Sequence, residues 1–308
     1  MQTLVALIAF LTVSVLTPAP LYIPRALSAA VSNLVIPAAS SAGDADGKYQ
    51  DEDEWVKRAL ERPDLDKGWV QSCDDDWGDG RDTYCVVREL PYTIDGDPIA
   101  IDGGQNGGMS ITGWDRPTAR VLYRVKARAY GKDRARALAE AIRVEHTRGK
   151  IRSAGPPTSS REWWSTEIRA WVPRSSDLWL RTLNGPLGIT SVRGTMDILS
   201  VNGPVSLVDL AGAVQARVEN GPLHVELQGS KWDGAGLDAS AQNGPVNFVL
   251  PERYSARLTT GTIQGPKTIH YALDWDSGPH AHIVTRLGSG GPPVRVVTHN
   301  GPFRMVAR

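Results

Sequence analysis

The 308-residue sequence is poor in the side chains that carry most protein chemistry: it has two cysteines, six histidines, four methionines and three phenylalanines. The two cysteines stand 12 residues apart with no paired Cys or His beside them, which is too few ligands for a structural zinc site. There is no charge excess, since 34 basic residues balance 34 acidic ones. That balance gives no global attraction to nucleic acid or to another highly charged surface. Past the first twenty residues no stretch is apolar and long enough to read as a membrane span. No Gly-x-Ser-x-Gly elbow occurs, and Gly288-Ser289-Gly290-Gly291 lacks the spacing of a phosphate cradle. The expectation is a chain with no catalytic residues, no cofactor, no metal and no nucleic-acid partner.

Glycine (31) and proline (21) are plentiful, while the apolar content of 41% is too high for a disordered chain. That mixture suits many short strands joined by tight turns. Residues Leu4 to Leu16 are almost continuously apolar. The length matches the h-region of a signal peptide, and Pro18, Pro20 and Pro24 stop a helix at once. Small residues at Ser28-Ala29-Ala30 and Ser40-Ser41-Ala42 offer cleavage sites, although no Lys or Arg precedes the apolar run. Residues 1–42 are therefore expected to be a signal peptide and flexible leader, with retention as an anchor left open. The implied location is outside the cytoplasm: periplasm, cell surface or medium.

An exported chain folds under oxidising conditions, where Cys73 and Cys85, 12 residues apart, are expected to form a disulfide. Closing a loop of that size contributes about 3 kcal/mol. The loop holds Asp74, Asp75, Asp76, Asp79 and Asp82, yet a calcium EF-hand register fails. Gly78 would stand at the fifth ligand and Asp79 where the turn glycine belongs. A solvated acidic loop is the plainer reading.

Four segments are expected: the leader at 1–42, an acidic linker with the cysteine loop at 43–95, strands plus one short helix at 96–175, and a repeat region at 176–308. Arg120 to Tyr130 alternates as a strand, with Val121, Tyr123, Val125, Ala127 and Ala129 on one face. Arg120, Arg124, Lys126 and Arg128 fall on the other, either as a solvated outer face or as a grip for a polyanion. A helix follows near 133–143, with Asp133 as its N-cap and Ala135, Leu138, Ala139 and Ile142 on one side. Ile168, Ala170 and Val172 then face inward from a strand. Of the adjacent Trp163 and Trp164 one should face in and the other out, where an indole can stack on a sugar. His280 and His282 share a strand face but have no third ligand nearby for a metal.

From Leu178 onward the sequence copies itself. Asn-Gly-Pro occurs at 184–186, 202–204, 220–222, 243–245 and 300–302, with a degenerate Gln264-Gly265-Pro266. Taken in chain order the spacings are 18, 18, 23, 21 and 36, the last being two periods. A related Asn106-Gly107-Gly108 stands upstream. Aligned on the Asn, the positions six, four and two before it and five after it hold small or apolar residues in nearly every copy. Steps of two are the strand period, so each unit holds two short strands and two corners. At one corner Asn and Gly tolerate left-handed backbone and Pro donates nothing to the ladder. At the other, Gly194 or Gly212 turns the chain. One unit cannot bury its apolar side, but stacked units can. The expected fold is all-β: a β-solenoid, a parallel β-helix-like stack of ~18-residue two-strand coils. Asn184, Asn202, Asn220, Asn243 and Asn300 would form a turn ladder of stacked amides, as in cross-β structures. A sandwich of Asn-Gly hairpins is the rival, weakened by the proline that would open each return strand.

The Asn-Gly-Pro ladder resembles the bacterial adhesin-like β-strand-repeat family, a domain of unknown function. The stretch Cys85-Val86-Val87-Arg88-Glu89, the run at 172–178 and the insertion from Ser230 to Asp238 match as well, so the resemblance spans about residues 69–308. Many relatives carry Asn-Gly-Gly where this chain has Asn-Gly-Pro. The resemblance implies an exported, adhesin-like scaffold or binding module of the cell envelope, not an enzyme. Envelope proteins or surface glycans would be its partners. The alternatives are a polysaccharide-acting β-helix enzyme and an envelope-stress sensor. The repeat registers carry no cluster of carboxylates with a basic partner, and Asp197, Asp209 and Asp238 look like scattered corner residues.

Overall fold

A computed structural model describes residues 79–94, 98–147, 149–273 and 282–308. Cys73, Asp74 to Asp76 and His280 lie outside these residues, as does the whole leader.

The described chain is all-β with one short helix. The N-terminal part comprises β1 (Asp82–Leu90), β2 (Ile99–Asp102), β3 (Gly107–Trp114), β4 (Arg120–Ala129), α1 (Lys132–Ala141), β5 (Arg143–Thr147), β6 (Lys150–Ala154) and β7 (Trp163–Pro173). The repeats give β8 (Leu178–Asn184), β9 (Leu187–Thr190), β10 (Arg193–Asn202), β11 (Val205–Val208), β12 (Ala211–Asn220) and β13 (Leu223–Glu226). They continue as β14 (Gly236–Asn243), β15 (Val246–Leu250), β16 (Ala256–Gln264), β17 (Lys267–His270), β18 (Ile283–Leu287), β19 (Pro293–Asn300) and β20 (Phe303–Ala307).

These strands form two ten-stranded sheets. Sheet A runs β1-β4-β7-β3-β9-β11-β13-β15-β20-β17, and sheet B runs β18-β16-β19-β14-β12-β10-β8-β2-β6-β5. Within the repeats the chain alternates between sheets, and neighbouring strands pair in parallel. Antiparallel pairs stand at the flanks, where β1 meets β4, β4 meets β7, β5 meets β6 and β16 meets β18. Inward residues of both sheets join one core, with Leu178, Leu180, Ile189, Ile198 and Phe248 essentially inaccessible. Filling each inward position with a Val, Leu or Ile stabilises by roughly 1.5–3 kcal/mol per side chain.

The registers align the repeats on their asparagines: Asn184 pairs with Asn202, Asn202 with Asn220, Asn220 with Asn243, and Asn243 with Asn300. The order of the units is where structure and expectation part. Asn300 does not belong to an outermost unit. Its strand β19 lies between β14 and β16, and Gln264 pairs with Asn300 on the far side. The chain skips one position to build β16 and β17, turns back antiparallel through β18, and fills the gap with β19 and β20. A 36-residue spacing marks two periods of sequence without saying which unit is the outer one. A similar skip occurs early, since β2 lies between β6 and β8 in sheet B.

Corner chemistry also differs from expectation. At Asn-Gly-Pro the glycine alone takes positive φ: +148° at Gly185, +142° at Gly203 and +149° at Gly221. None of the asparagines does, so their value lies in the side chain. The Gly185 N–H donates to the Asn202 carbonyl at 3.0 Å, and the Leu187 N–H to the Pro204 carbonyl at 2.9 Å. The proline thus keeps its acceptor in the ladder although it lacks a donor. At the second corner Gly194 (φ 155°) and Gly212 (φ 104°) take positive φ as expected, but Ser191 (φ 57°) and Asp209 (φ 51°) share the turn, and Ser191 Oγ donates to Asp209 Oδ2 at 2.8 Å. The two strands of a unit are unequal too: β10 has ten residues and β11 four.

The insertion at 230–238 folds back over the stack. Buried Trp232 donates its indole N–H to the Gly212 carbonyl at 2.9 Å. Helix α1 is capped by Gly131, with Asp133 in its first turn rather than at the cap. Its buried residues Ala135, Leu138 and Ala139 pack towards β4 and β1.

Candidate functional site

Sheet B shows the outer faces of its strands in rows, one residue per strand. One row reads Lys150, Ala100, Trp179, Asp197, Gln215, Asp238, Arg295. The next reads Arg152, Asp102, Arg181, Leu199, Arg217, Ser240, Val297. From β8 onward these positions are an odd number of residues before each Asn, and alternation alone sends them outward. Most are polar. Of the apolar members, Trp179 is the most exposed, with 53% of its surface accessible.

The indole stands over a cleft of about 460 Å³ whose lining includes Pro98, Ala100, Asp102, Lys150, Trp179 and Arg181. The cleft exists because Ala100, the smallest side chain of its row, sits between Lys150 and Trp179. Arg181 is held by Asp197, with Nη2 donating to Oδ2 at 2.8 Å and Nη1 to Oδ1 at 3.2 Å. Both side chains are more than two-fifths exposed, so the pair adds little stability. Its effect is to fix a planar guanidinium beside the indole. Asp102 accepts the Gly104 N–H at 3.0 Å and lies 4.0 Å from Arg152. Lys150 is exposed and has no ion-pair partner among the described residues.

A second cleft of about 490 Å³ lies further along sheet B and involves Arg217, Glu219, Asn243, His282 and Arg295. None of the exposed large apolar side chains lines it. Burial lowers the pKa of His282; the charges of Arg295, Lys267 and His299 act the same way, and a contact with the Thr298 carbonyl opposes them.

The structure places the asparagine side chains in one hydrogen-bonded row. Asn202 Nδ2 donates to Asn184 Oδ1 (2.9 Å), Asn220 to Asn202 (3.1 Å), Asn243 to Asn220 (2.9 Å) and Asn300 to Asn243 (2.8 Å). Asn184 continues to the backbone carbonyl of Gln105 at 2.7 Å. Every amide points the same way, and the row ends on Asn300 Oδ1, which is buried and has no hydrogen-bond partner among the described residues.

Other expected positions fall differently. Cys85 lies in β1 opposite Lys126 and is not a free thiol, while Cys73 is outside the described residues. The basic strand face is neither solvated nor open to a polyanion. Lys126 and Arg128 are buried, and Arg124 reaches Glu167 at 2.6 Å. Arg128 binds Asp79 at 2.6 Å, so the acidic N-terminal segment does supply one counter-charge. β4 is an interior strand between β1 and β7, and residues on both of its faces are buried. Trp164 is buried with its N–H on the Pro156 carbonyl, and Trp163 is half-buried. Asp197 and Asp238 are mid-strand partners of Arg181 and Arg295; Asp209 alone is at a corner. No group of three metal-ligating side chains occurs among the described residues. No described helix is long and apolar enough to cross a membrane.

Trp179 was not among the expected site residues. Its signal was present in the repeat alignment, because it is the one aromatic at the position five before the Asn.

No family model matches the chain, and no curated protein matches it in sequence. Solved structures align with the chain at low identity. A candidate cell adhesion protein from Clostridium sporogenes aligns over 73% of this chain and 100% of its own, at 8% identity and a TM-score of 0.41. A candidate adhesin from Bacteroides fragilis aligns over 73% and 97%, at 13% identity and a TM-score of 0.31. A candidate lipid binding protein from Parabacteroides distasonis covers 72% and 96%, at 12% identity and a TM-score of 0.33. At these scores and identities the likenesses carry no argument about function.

Proposed function

We propose that this chain is an exported, non-catalytic β-solenoid that serves the cell envelope as an adhesin-like scaffold or binding module. The observation that carries this reading is the shape of the repeat. Corners as short as Asn-Gly-Pro leave no long loops to assemble an active site, while unit-on-unit pairing holds the outer side chains of sheet B in fixed rows. Binding residues are best held on such rigid elements. The exposed Trp179 beside an ordered Arg181–Asp197 pair is such a feature.

Fractionation of cells making the tagged full chain tests the proposal. The mature protein is expected outside the cytoplasm, starting between residues 20 and 43, and the purified protein is expected to bind isolated envelopes without releasing reducing ends. A cytoplasmic protein with Met1 intact would reject the export half, and saccharide release would favour an enzyme. The Cys73–Cys85 bond belongs to the same reading. Intact mass should rise by two protons on reduction; ready alkylation of both thiols without reductant would reject the bond.

A further inference from the structure

We propose that the Trp179 cleft is a subsite for one acidic sugar residue of a glycan, a uronic acid, with its ring on the indole and its carboxylate on Lys150. This deepens the binding-module reading and rests on it.

The argument starts from the cleft's width. Lys150, Ala100 and Trp179 are successive members of one row, so the two walls stand two strand spacings apart, about 10 Å. Ala100 keeps the floor low. A single sugar ring lying over that floor meets an indole on one side and an ammonium on the other. The two faces of a pyranose are lined with C–H groups, and an aromatic ring stacks against them without needing a hydrogen-bond partner there. Hydroxyls around the rim need planar, fixed donors and acceptors. Arg181, held by two bonds to Asp197, and Asp102, anchored by the Gly104 N–H, are the fixed polar groups in reach of the floor.

Charge selects the sugar. The charged groups lining the cleft are Lys150, Arg181 and Asp102; around them Arg181 is held by Asp197, and Arg152 stands between Asp102 and the exposed Glu145. Arg152 and Arg181 face those carboxylates, and Lys150 has no ion-pair partner among the described residues. A ligand carboxylate placed across the floor completes the pairing. A protein partner fits less well. A stable interface covers about 800 Å² per partner. Here the exposed apolar surface at Trp179 stops at the charged side chains of Arg181 and Asp197.

Isothermal titration of the full chain with trigalacturonate and with neutral galactotriose tests the assignment. Trigalacturonate is expected to bind at least tenfold more tightly. Trp179→Ala should abolish binding of both, and Lys150→Gln should bring the acidic trisaccharide down to the affinity of the neutral one. Ala100→Leu, which fills the floor and leaves both walls, should also abolish binding; it keeps the test decisive if Trp179→Ala fails to fold. The proposal is overturned by absence of trigalacturonate binding to the unaltered chain. It is equally overturned by unchanged binding in the folded Trp179 or Ala100 variant, or by an acidic preference that survives Lys150→Gln. These results read affinity, whereas the exported-scaffold reading is decided by location and envelope association, so the two can fail separately.

Discussion

Asn300 donates its side-chain amide to Asn243, 57 positions earlier in the chain, at 2.8 Å. Gln264, which comes between them in sequence, sits on the opposite side of Asn300 in space. Asn202 both donates, to Asn184, and accepts, from Asn220; Asn300 donates only. Each such bond contributes about 0.5–1.5 kcal/mol net. Asn202→Ala should therefore destabilise by about 1–2 kcal/mol. Asn300→Ala should cost at most half as much, since it also removes an unpartnered acceptor. Urea melts of the two variants decide it, and equal losses would show that the row does not act as a coupled ladder.

The free end of the row offers the opposite test. Gln264→Asn puts an amide of the right length in register with Asn300 Oδ1. A gain of about 0.5–1.5 kcal/mol is expected. In an Asn300→Ala background the gain should vanish, which a double-mutant cycle measures. A gain that persists there would come from something other than the ladder.

Backbone packing at the corners gives a larger effect. A Cβ on Gly203, already at φ +142°, would lie 2.4 Å from the Gly185 carbonyl oxygen, and the backbone of the next unit cannot swing away. Gly203→Ala should cost several kcal/mol through strain and lost stacking, at roughly 1–3 kcal/mol per strained site plus the disturbed ladder. Gly188, in β9, has nothing within 4 Å of the added carbon. Gly188→Ala should be neutral or stabilise by about 0.4–1 kcal/mol. Thermal melts of the pair would show the contrast, and similar melting points would contradict the packing.

His282 sets part of the acid response. Burial first, and the cations around it second, hold its pKa below the ordinary imidazole value. The unfolded chain then binds this proton at a pH where the folded chain does not, so stability rises with pH. Its contribution is complete above the unfolded value of about 6.5 and is lost as pH falls below that value towards the folded one. His282→Gln should flatten the loss of stability between about pH 7.5 and pH 5. Denaturant midpoints across that range measure it, and a steeper acid loss in the variant would reverse the sign.

How much of this was legible depends on what repeats. The inward positions around Leu180, Ile198 and Ala216 declare themselves because burial selects the same residue type in every unit. Unit order leaves no such trace. A parallel neighbour makes the same demands on Asn243 whether Asn300 or Gln264 lies beside it, so the swap of the last two units cannot be read from spacing. The basic residues of β4 misled for a related reason. Alternation reports two faces but not whether the second is covered, and Lys126 and Arg128 are charged yet buried. Trp179 was legible only as a break in a polar column, which becomes meaningful once Ala100 from a distant segment is known to lie next to it.

The exchanged order of the last units bears on how the chain is made. Residues 293–307 supply an interior layer, and the layer at 256–270 makes its parallel pairings with that layer alone. A chain stopped before Pro293 would not be one layer shorter with a sound end. It would lack the layer on which 256–270 docks, with strand edges left open to pairing with another copy. The outer strands β16 and β17 thus take their place against a layer that follows them in sequence.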